Sequence, residues 1–115
     1  MNGVLLKYGR WGELVEESEL LTMKAESLQH NDTKSYRKLH GQAAVLYEEA
    51  LRLIPPEKFV FEVYGSFIVT ATILYYKAGD FVSAKRLITQ YSTKIESAYL
   101  KGRLEEIVVL LGEEQ

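Results

Sequence analysis

The sequence contains no cysteine, and only two prolines and eight glycines occur among its 115 residues. The absence of cysteine excludes a disulfide scaffold, a thiolate zinc site and a cysteine nucleophile, and it fits a reducing compartment. Proline and glycine most often interrupt regular structure, so their scarcity favours long helices over a sandwich with many turns. The hydrophobic share of 47% and the charged share of 26% are typical of one globular domain over residues 1–115.

The chain also lacks a long apolar run and a strong charge of either sign. Its longest charge-free stretch, from Val63 to Tyr76, is shorter than the roughly 20 apolar residues that a membrane span needs. The apolar run before Lys7 is too short for the core of a signal peptide. The net charge of -2 gives no general attraction to nucleic acid or anionic lipid. We therefore expect a cytoplasmic protein with no membrane segment.

Five segments repeat apolar residues at the intervals of three and four that place side chains on one helix face. They cover approximately residues 11–29, 34–54, 57–78, 81–94 and 97–111, and the second has the clearest period. Asp32 or Thr33 can cap the second helix, Asp80 can cap the fourth, and Gly79 permits a tight bend. The pattern predicts an all-α fold of about five helices in antiparallel hairpins, in which residues 97–112 form a capping helix. Residues 1–10 stay unassigned, as an arm or a short edge strand.

The third segment allows two interpretations. Many of its residues between Phe59 and Tyr76 are β-branched or aromatic, and local propensity therefore favours a hairpin that turns at Tyr64-Gly65-Ser66. The segment is also long, and the neighbouring helices need a partner to cover their apolar faces. We predict a central helix here, with the hairpin as the alternative.

Two stretches resemble the tetratricopeptide repeat, a helical hairpin with characteristic small and aromatic positions. In the first, Ala43, Tyr47, Ala50 and Pro55 stand at the spacing of a second repeat helix. In the second, Tyr75-Tyr76-Lys77-Ala78-Gly79-Asp80-Phe81-Val82-Ser83-Ala84 is similar to the turn between the two helices of a repeat. The chain departs from the family pattern at Ile88, where an aromatic residue is usual. The resemblance implies a divergent, right-handed stack of about two hairpins and a capping helix.

In the tetratricopeptide-repeat family, the first helix of each hairpin lines a concave groove that binds protein partners. The matching positions on the third helix are mostly apolar: Ser66, Val69, Thr70, Ile73, Tyr76 and Lys77. Such a groove suits an amphipathic helix or an apolar peptide. The alternative is that the long first helix, or a second copy of the chain in a homodimer, fills it. The resemblance thus implies a non-catalytic protein-interaction module.

Residues that could support catalysis or bind a cofactor form no recognisable site. His30 and His40 are the only histidines, and neither has a second ligand at metal-binding spacing. The many glutamates, including the pairs Glu13/Glu17 and Glu16/Glu19, have the pattern of solvated residues and not of a desolvated acid-base pair. No glycine-rich phosphate loop occurs. We predict no catalytic residue, no metal and no cofactor.

A basic region supports a different hypothesis. Between residues 77 and 103, six basic residues stand against two acidic ones. A nucleic-acid-binding face would use Lys85, Arg86, Lys94, Lys101 and Arg103 to neutralise phosphates. The local excess is small, however, and the acidic N-terminal third balances it. We therefore favour an ordinary solvated helix surface, with nucleic-acid association as the alternative function.

Overall fold

The computed structural model describes residues 9–28, 32–54, 61–95 and 98–113. The elements are α1 (Arg10–Leu28), α2 (Thr33–Leu53), α3 (Phe61–Lys77), α4 (Phe81–Tyr91), a short 3₁₀ turn (Ser92–Lys94) and α5 (Ala98–Glu113). Every element in this part of the chain is helical, which confirms the predicted all-α fold. The predicted fourth helix ends three residues early, in the 3₁₀ turn, and α5 continues through Gly112 instead of stopping there. The proposed arm or strand falls largely outside the described residues.

The helix starts at α2 and α4 are built in the same way. The Asp32 carboxylate accepts hydrogen bonds from the Ser35 amide (3.0 Å) and hydroxyl (2.7 Å). Asp80 accepts the equivalent bonds from Ser83, at 3.1 and 2.7 Å. Each aspartate thereby satisfies an amide that has no partner within its own helix. Just before Asp80, Gly79 has a φ of 80°, the left-handed conformation predicted for the bend between α3 and α4.

The third segment is a helix over Phe61–Lys77, and the alternative hairpin that turns at Tyr64-Gly65-Ser66 is wrong. Residues 59 and 60 lie outside the described residues. Buried side chains occur on most sides of α3, among them Ile68, Ala71, Thr72, Leu74 and Tyr75. Burial by the surrounding helices outweighs the local strand propensity, because propensity is only a weak preference beside tertiary packing.

Contacts between side chains define the direction of each helix. Ser18 of α1 donates a 2.8 Å hydrogen bond to the Ala43 carbonyl of α2, and the later Glu26 reaches the earlier His40. Helices α1 and α2 are therefore antiparallel. Tyr64 contacts Tyr91, and Tyr76 contacts Phe81, so α3 and α4 are antiparallel as well. α5 packs on α3 and α4 beyond the second hairpin.

The first helices of the two hairpins, α1 and α3, run parallel to each other. Near the start of α1, Trp11 lies 6.1 Å from Phe67 between ring centroids, and near its end Glu26 lies 2.8 Å from the Lys77 ammonium. The smallest dimension of the molecule is 19 Å, about two helix diameters. Both helices pack on α2, and we call the surface of α1 and α3 between these two contacts the α1–α3 cleft.

Candidate functional site: the cleft between α1 and α3

The structure places the six predicted groove residues at different depths on α3. Ser66 is exposed, and Thr70, Ile73, Tyr76 and Lys77 are half-buried. Val69 requires a correction, because it is only 5% exposed and belongs to the hydrophobic core. The neighbouring helices bury most sides of α3, including the side that carries Val69. The remaining five residues leave α3 with a mixed apolar and hydroxyl surface.

A polar cluster closes one end of the cleft. The Glu26 carboxylate of α1 accepts a 2.8 Å hydrogen bond from the Lys77 ammonium and lies 3.0 Å from Nε2 of His40. Nδ1 of His40 lies 3.0 Å from the Tyr36 carbonyl oxygen. His40 is fully buried and both of its ring nitrogens have partners, so it is a satisfied residue of the core.

An aromatic cluster closes the other end. The ring of Phe67 on α3 lies between Trp11 of α1 and Tyr47 of α2, with centroid distances of 6.1 and 5.7 Å. The Tyr47–Phe67 pair meets edge to face, a favourable geometry for aromatic rings. Trp11 and Tyr47 are buried, so this cluster anchors the hairpins to each other.

Between these two ends, α1 presents a stripe of residues at helical spacing: Gly12, Glu16, Glu19, Met23 and Glu26. Glu26, the last residue of the stripe, forms an ion pair with Lys77 of α3. We define the α1–α3 cleft by six residues, three from each helix: Glu16, Glu19 and Met23, with Ser66, Thr70 and Ile73.

Glu16 of α1 differs from the sequence-based expectation of a solvated glutamate, whereas Glu19 is exposed as expected. Glu16 is 7% exposed, and its Oε2 atom is buried with no hydrogen-bond partner. Burial and the neighbouring Glu16 charge raise the pKa of Glu19. Burial and the Glu19 charge also raise the pKa of Tyr47. The spacing from Gly12 to Glu26 was the available sequence signal, but it does not reveal that Glu16 becomes buried.

A second buried carboxylate that the sequence did not distinguish lies on the other side of α2. Glu48 is 3% exposed and accepts hydrogen bonds from Tyr75 of α3 (2.6 Å) and from Arg86 of α4 (2.7 and 2.9 Å). Hydrogen bonds from Arg86 and Tyr75 lower the pKa of Glu48, despite its burial. All three side chains are satisfied by one another, so this cluster joins α2, α3 and α4 and leaves no group for an external ligand.

The residues of the predicted basic face are only partly available. Arg86 is engaged by Glu48, and Arg103 lies 3.5 Å from the Glu106 carboxylate. Lys94 and Lys101 are exposed, and Lys85 is half-buried. Two of the five positive charges are thus paired with carboxylates.

A further apolar surface lies on α5, where Val108 and Val109 are 47% and 60% exposed. The same helix buries Leu104, Ile107 and Leu111.

The described parts of the chain contain no group of three histidine, aspartate or glutamate side chains that could hold a metal ion. Within the same ranges, no helix is long and apolar enough to cross a membrane. No protein-family model matches the chain, and no curated protein or solved structure shows significant similarity to it.

Proposed function

We propose that this chain is a divergent module of the tetratricopeptide-repeat type that binds a helix or peptide of another protein in the α1–α3 cleft. One observation carries the proposal: α1 and α3, each the first helix of a hairpin, run parallel and are joined by the Trp11–Phe67 contact and the Glu26–Lys77 ion pair. Met23 is exposed and Ile73 is half-buried, so the cleft offers apolar surface to a partner. Hydroxyl and carboxylate groups beside them would orient the bound segment.

Self-association is the second way to occupy the same cleft. A second copy of the chain could insert a helix there, and a symmetric dimer would then bury both clefts. Nucleic-acid association receives less support, because Arg86 and Arg103 already have carboxylate partners. The three remaining lysines give only a small electrostatic contribution beside the six to ten phosphate contacts of a typical binder.

The experiment is a selection of binding peptides from a random display library against the immobilised chain, followed by binding measurements with two variants. Ile73→Lys places a charge inside the cleft, and Ser66→Arg adds bulk at an exposed position on its rim. Val82→Lys is the matched control, because Val82 is 80% exposed on α4. We expect selected peptides to lose affinity for both cleft variants and to keep it for the control.

Circular dichroism and thermal unfolding of each variant establish that it is folded, which matters for the half-buried Ile73. Sedimentation equilibrium of the wild type measures self-association separately. Peptides that bind all variants equally would show that the α1–α3 cleft is not the binding surface. A stable dimer that Ile73→Lys dissociates would assign the cleft to a second copy.

A further inference from the structure

We propose that α5 can leave its place on α3 and α4, and that the face beneath it is a docking surface for α5 of a second copy of the chain. In this helix exchange, each copy holds the α5 of the other in place of its own. The inference concerns the second hairpin and its neighbour α5. It does not depend on the α1–α3 cleft, so it stands apart from the proposed function.

One contact between α5 and α3 lies at Gly65. A Cβ atom added to this glycine would lie 3.0 Å from Cδ1 of Leu100 on α5 and 3.6 Å from Cγ2 of Ile95. Because glycine has no side chain, Leu100 approaches the backbone of α3 closely at this point, which we call the Gly65 notch. Three further residues of α5 belong to the hydrophobic core: Leu104, Ile107 and Leu111.

The attachment of α5 to the other helices is apolar. Its described side-chain hydrogen bonds and ion pairs run from Arg103 to Tyr99 and from Arg103 to Glu106, so they stay within the helix. Within the described part of the chain, the departure of α5 therefore breaks no ion pair with another helix. It exposes apolar surface, and contact with an equivalent helix covers that surface again.

The other four helices are attached to one another differently. Ser18 of α1 donates a buried hydrogen bond to the Ala43 carbonyl of α2. Glu48 of α2 accepts hydrogen bonds from Tyr75 of α3 and from Arg86 of α4. Separation of these helices leaves buried polar groups without their partners, which is costly. α5 is therefore the helix that can open while the remaining four stay packed.

The occupant of the face is identified by the helix that already lies there. α5 of the same chain packs on α3 and α4, and a second copy carries an identical helix. α5 also has apolar side chains that docking leaves exposed: Tyr99, Val108, Val109 and Leu110. Such a surface favours contact with a second chain over exposure to water. The covalent tether favours the chain's own α5 at low concentration, and exchange increases as the concentration rises.

The test mixes two variants of the full chain in which docking fails for opposite reasons. Gly65→Val fills the Gly65 notch and blocks the α3 face, while its α5 stays usable. Leu104→Asp places a charge on the buried side of α5, while its α3 face stays open. Sedimentation velocity should show a monomer for each variant alone. An equimolar mixture should form a one-to-one heterodimer with twice the monomer mass.

Val108→Asp in place of Leu104→Asp is the matched control, because Val108 is 47% exposed on the same helix. Its α5 stays docked and occupies the α3 face, so its mixture with Gly65→Val should remain monomeric. Adding Ile73→Lys to both partners of the first mixture should leave the heterodimer intact. That result separates helix exchange from association through the α1–α3 cleft.

Hydrogen exchange of the wild type provides a second measurement that needs no variant. In low concentrations of urea, the amides of α5 should exchange at least about tenfold faster than the slowest amides of α2, through an opening that leaves α2 protected. If circular dichroism shows that a variant is unfolded, this measurement alone decides the outcome.

The heterodimer, its absence from the control mixture and the early exchange of α5 together support the proposal. A mixture of folded Gly65→Val and Leu104→Asp that stays monomeric would overturn it. So would a heterodimer in the control mixture, or α5 amides that exchange only when the whole chain unfolds. The proposed binding function of the α1–α3 cleft stands or falls separately from each of these results.

Discussion

The guanidinium group of Arg86 binds both oxygens of the Glu48 carboxylate, at 2.7 and 2.9 Å, and so joins the second helices of the two hairpins. Glu48 is buried and Arg86 is partly exposed, with the Tyr75 hydroxyl as a third member at 2.6 Å. A bidentate contact of this kind fixes the relative orientation of the two groups as well as the distance between them. A polar contact in the core therefore helps to hold α2, α3 and α4 together.

Arg86→Met should destabilise the chain by about 3 kcal/mol, because it leaves the Glu48 carboxylate buried without its main cationic partner. The double variant Glu48→Met/Arg86→Met should recover much of that loss, since apolar residues of similar volume replace a buried ion pair well. Urea denaturation measures both values. An effect of Arg86→Met near zero would mean that the ion pair contributes nothing to stability.

The same contact predicts how stability depends on pH. Hydrogen bonds from Arg86 and Tyr75 hold the pKa of Glu48 below its ordinary value of 4.5. The unfolded chain therefore binds a proton more readily than the native chain in this range, and stability rises with pH there. The contribution of Glu48 is complete above pH 4.5 and is lost as the pH falls through the lowered pKa. The stability difference between wild type and Arg86→Met should be constant near neutrality and should shrink in acid.

Glu16→Gln should raise the free energy of unfolding at pH 7 by about 1 kcal/mol, because a neutral amide is less costly to bury without partners than a carboxylate. Glu17→Gln is the control and should change stability by less than about 0.5 kcal/mol, since that side chain is exposed. Thermal and urea unfolding provide the comparison. Loss of stability in Glu16→Gln would indicate that the carboxylate has a structural partner.

The hydrogen-bond partner of Nδ1 predicts the tautomer of His40. The Tyr36 carbonyl oxygen can only accept a hydrogen bond, so Nδ1 must carry a proton. A long-range ¹⁵N–¹H correlation spectrum should therefore show a proton on Nδ1. A ring whose only proton is on Nε2 would contradict the contact with Tyr36.

Two glycines should respond to alanine in opposite directions. Gly79 has a φ of 80°, which a side chain disfavours, so Gly79→Ala should destabilise the chain by about 1 kcal/mol. Gly102 lies within α5, and nothing lies within 4 Å of a Cβ added there. Gly102→Ala should therefore stabilise the chain by about 0.5–1 kcal/mol through helix propensity. If Gly79→Ala and Gly102→Ala changed the melting temperature equally, the left-handed conformation of Gly79 would be contradicted.

The sequence was informative where the determinants are local. Helix spacing, the capping residues Asp32 and Asp80 and the bend at Gly79 depend on near neighbours, and the structure confirms each of them. The shared burial of Glu16 and Glu48 depends on helices far along the chain, so a charged residue in an otherwise polar stretch looks solvated in the sequence. Val69 was misplaced for a similar reason, because only the complete packing around α3 decides which side of the helix faces inward.

The aromatic cluster at Trp11 and the polar cluster at Glu26 mark the two ends of the α1–α3 cleft, and the distance between them is its length. Trp11 and Glu26 are 26 − 11 = 15 positions apart on α1, which corresponds to about 22 Å at the rise of an α-helix. That span holds about seven residues of an extended strand or about four turns of a helix. A longer segment would have to leave the cleft over the aromatic cluster or over the Lys77–Glu26 ion pair. In the proposed binding function, this distance therefore sets the length of the partner segment that the cleft holds.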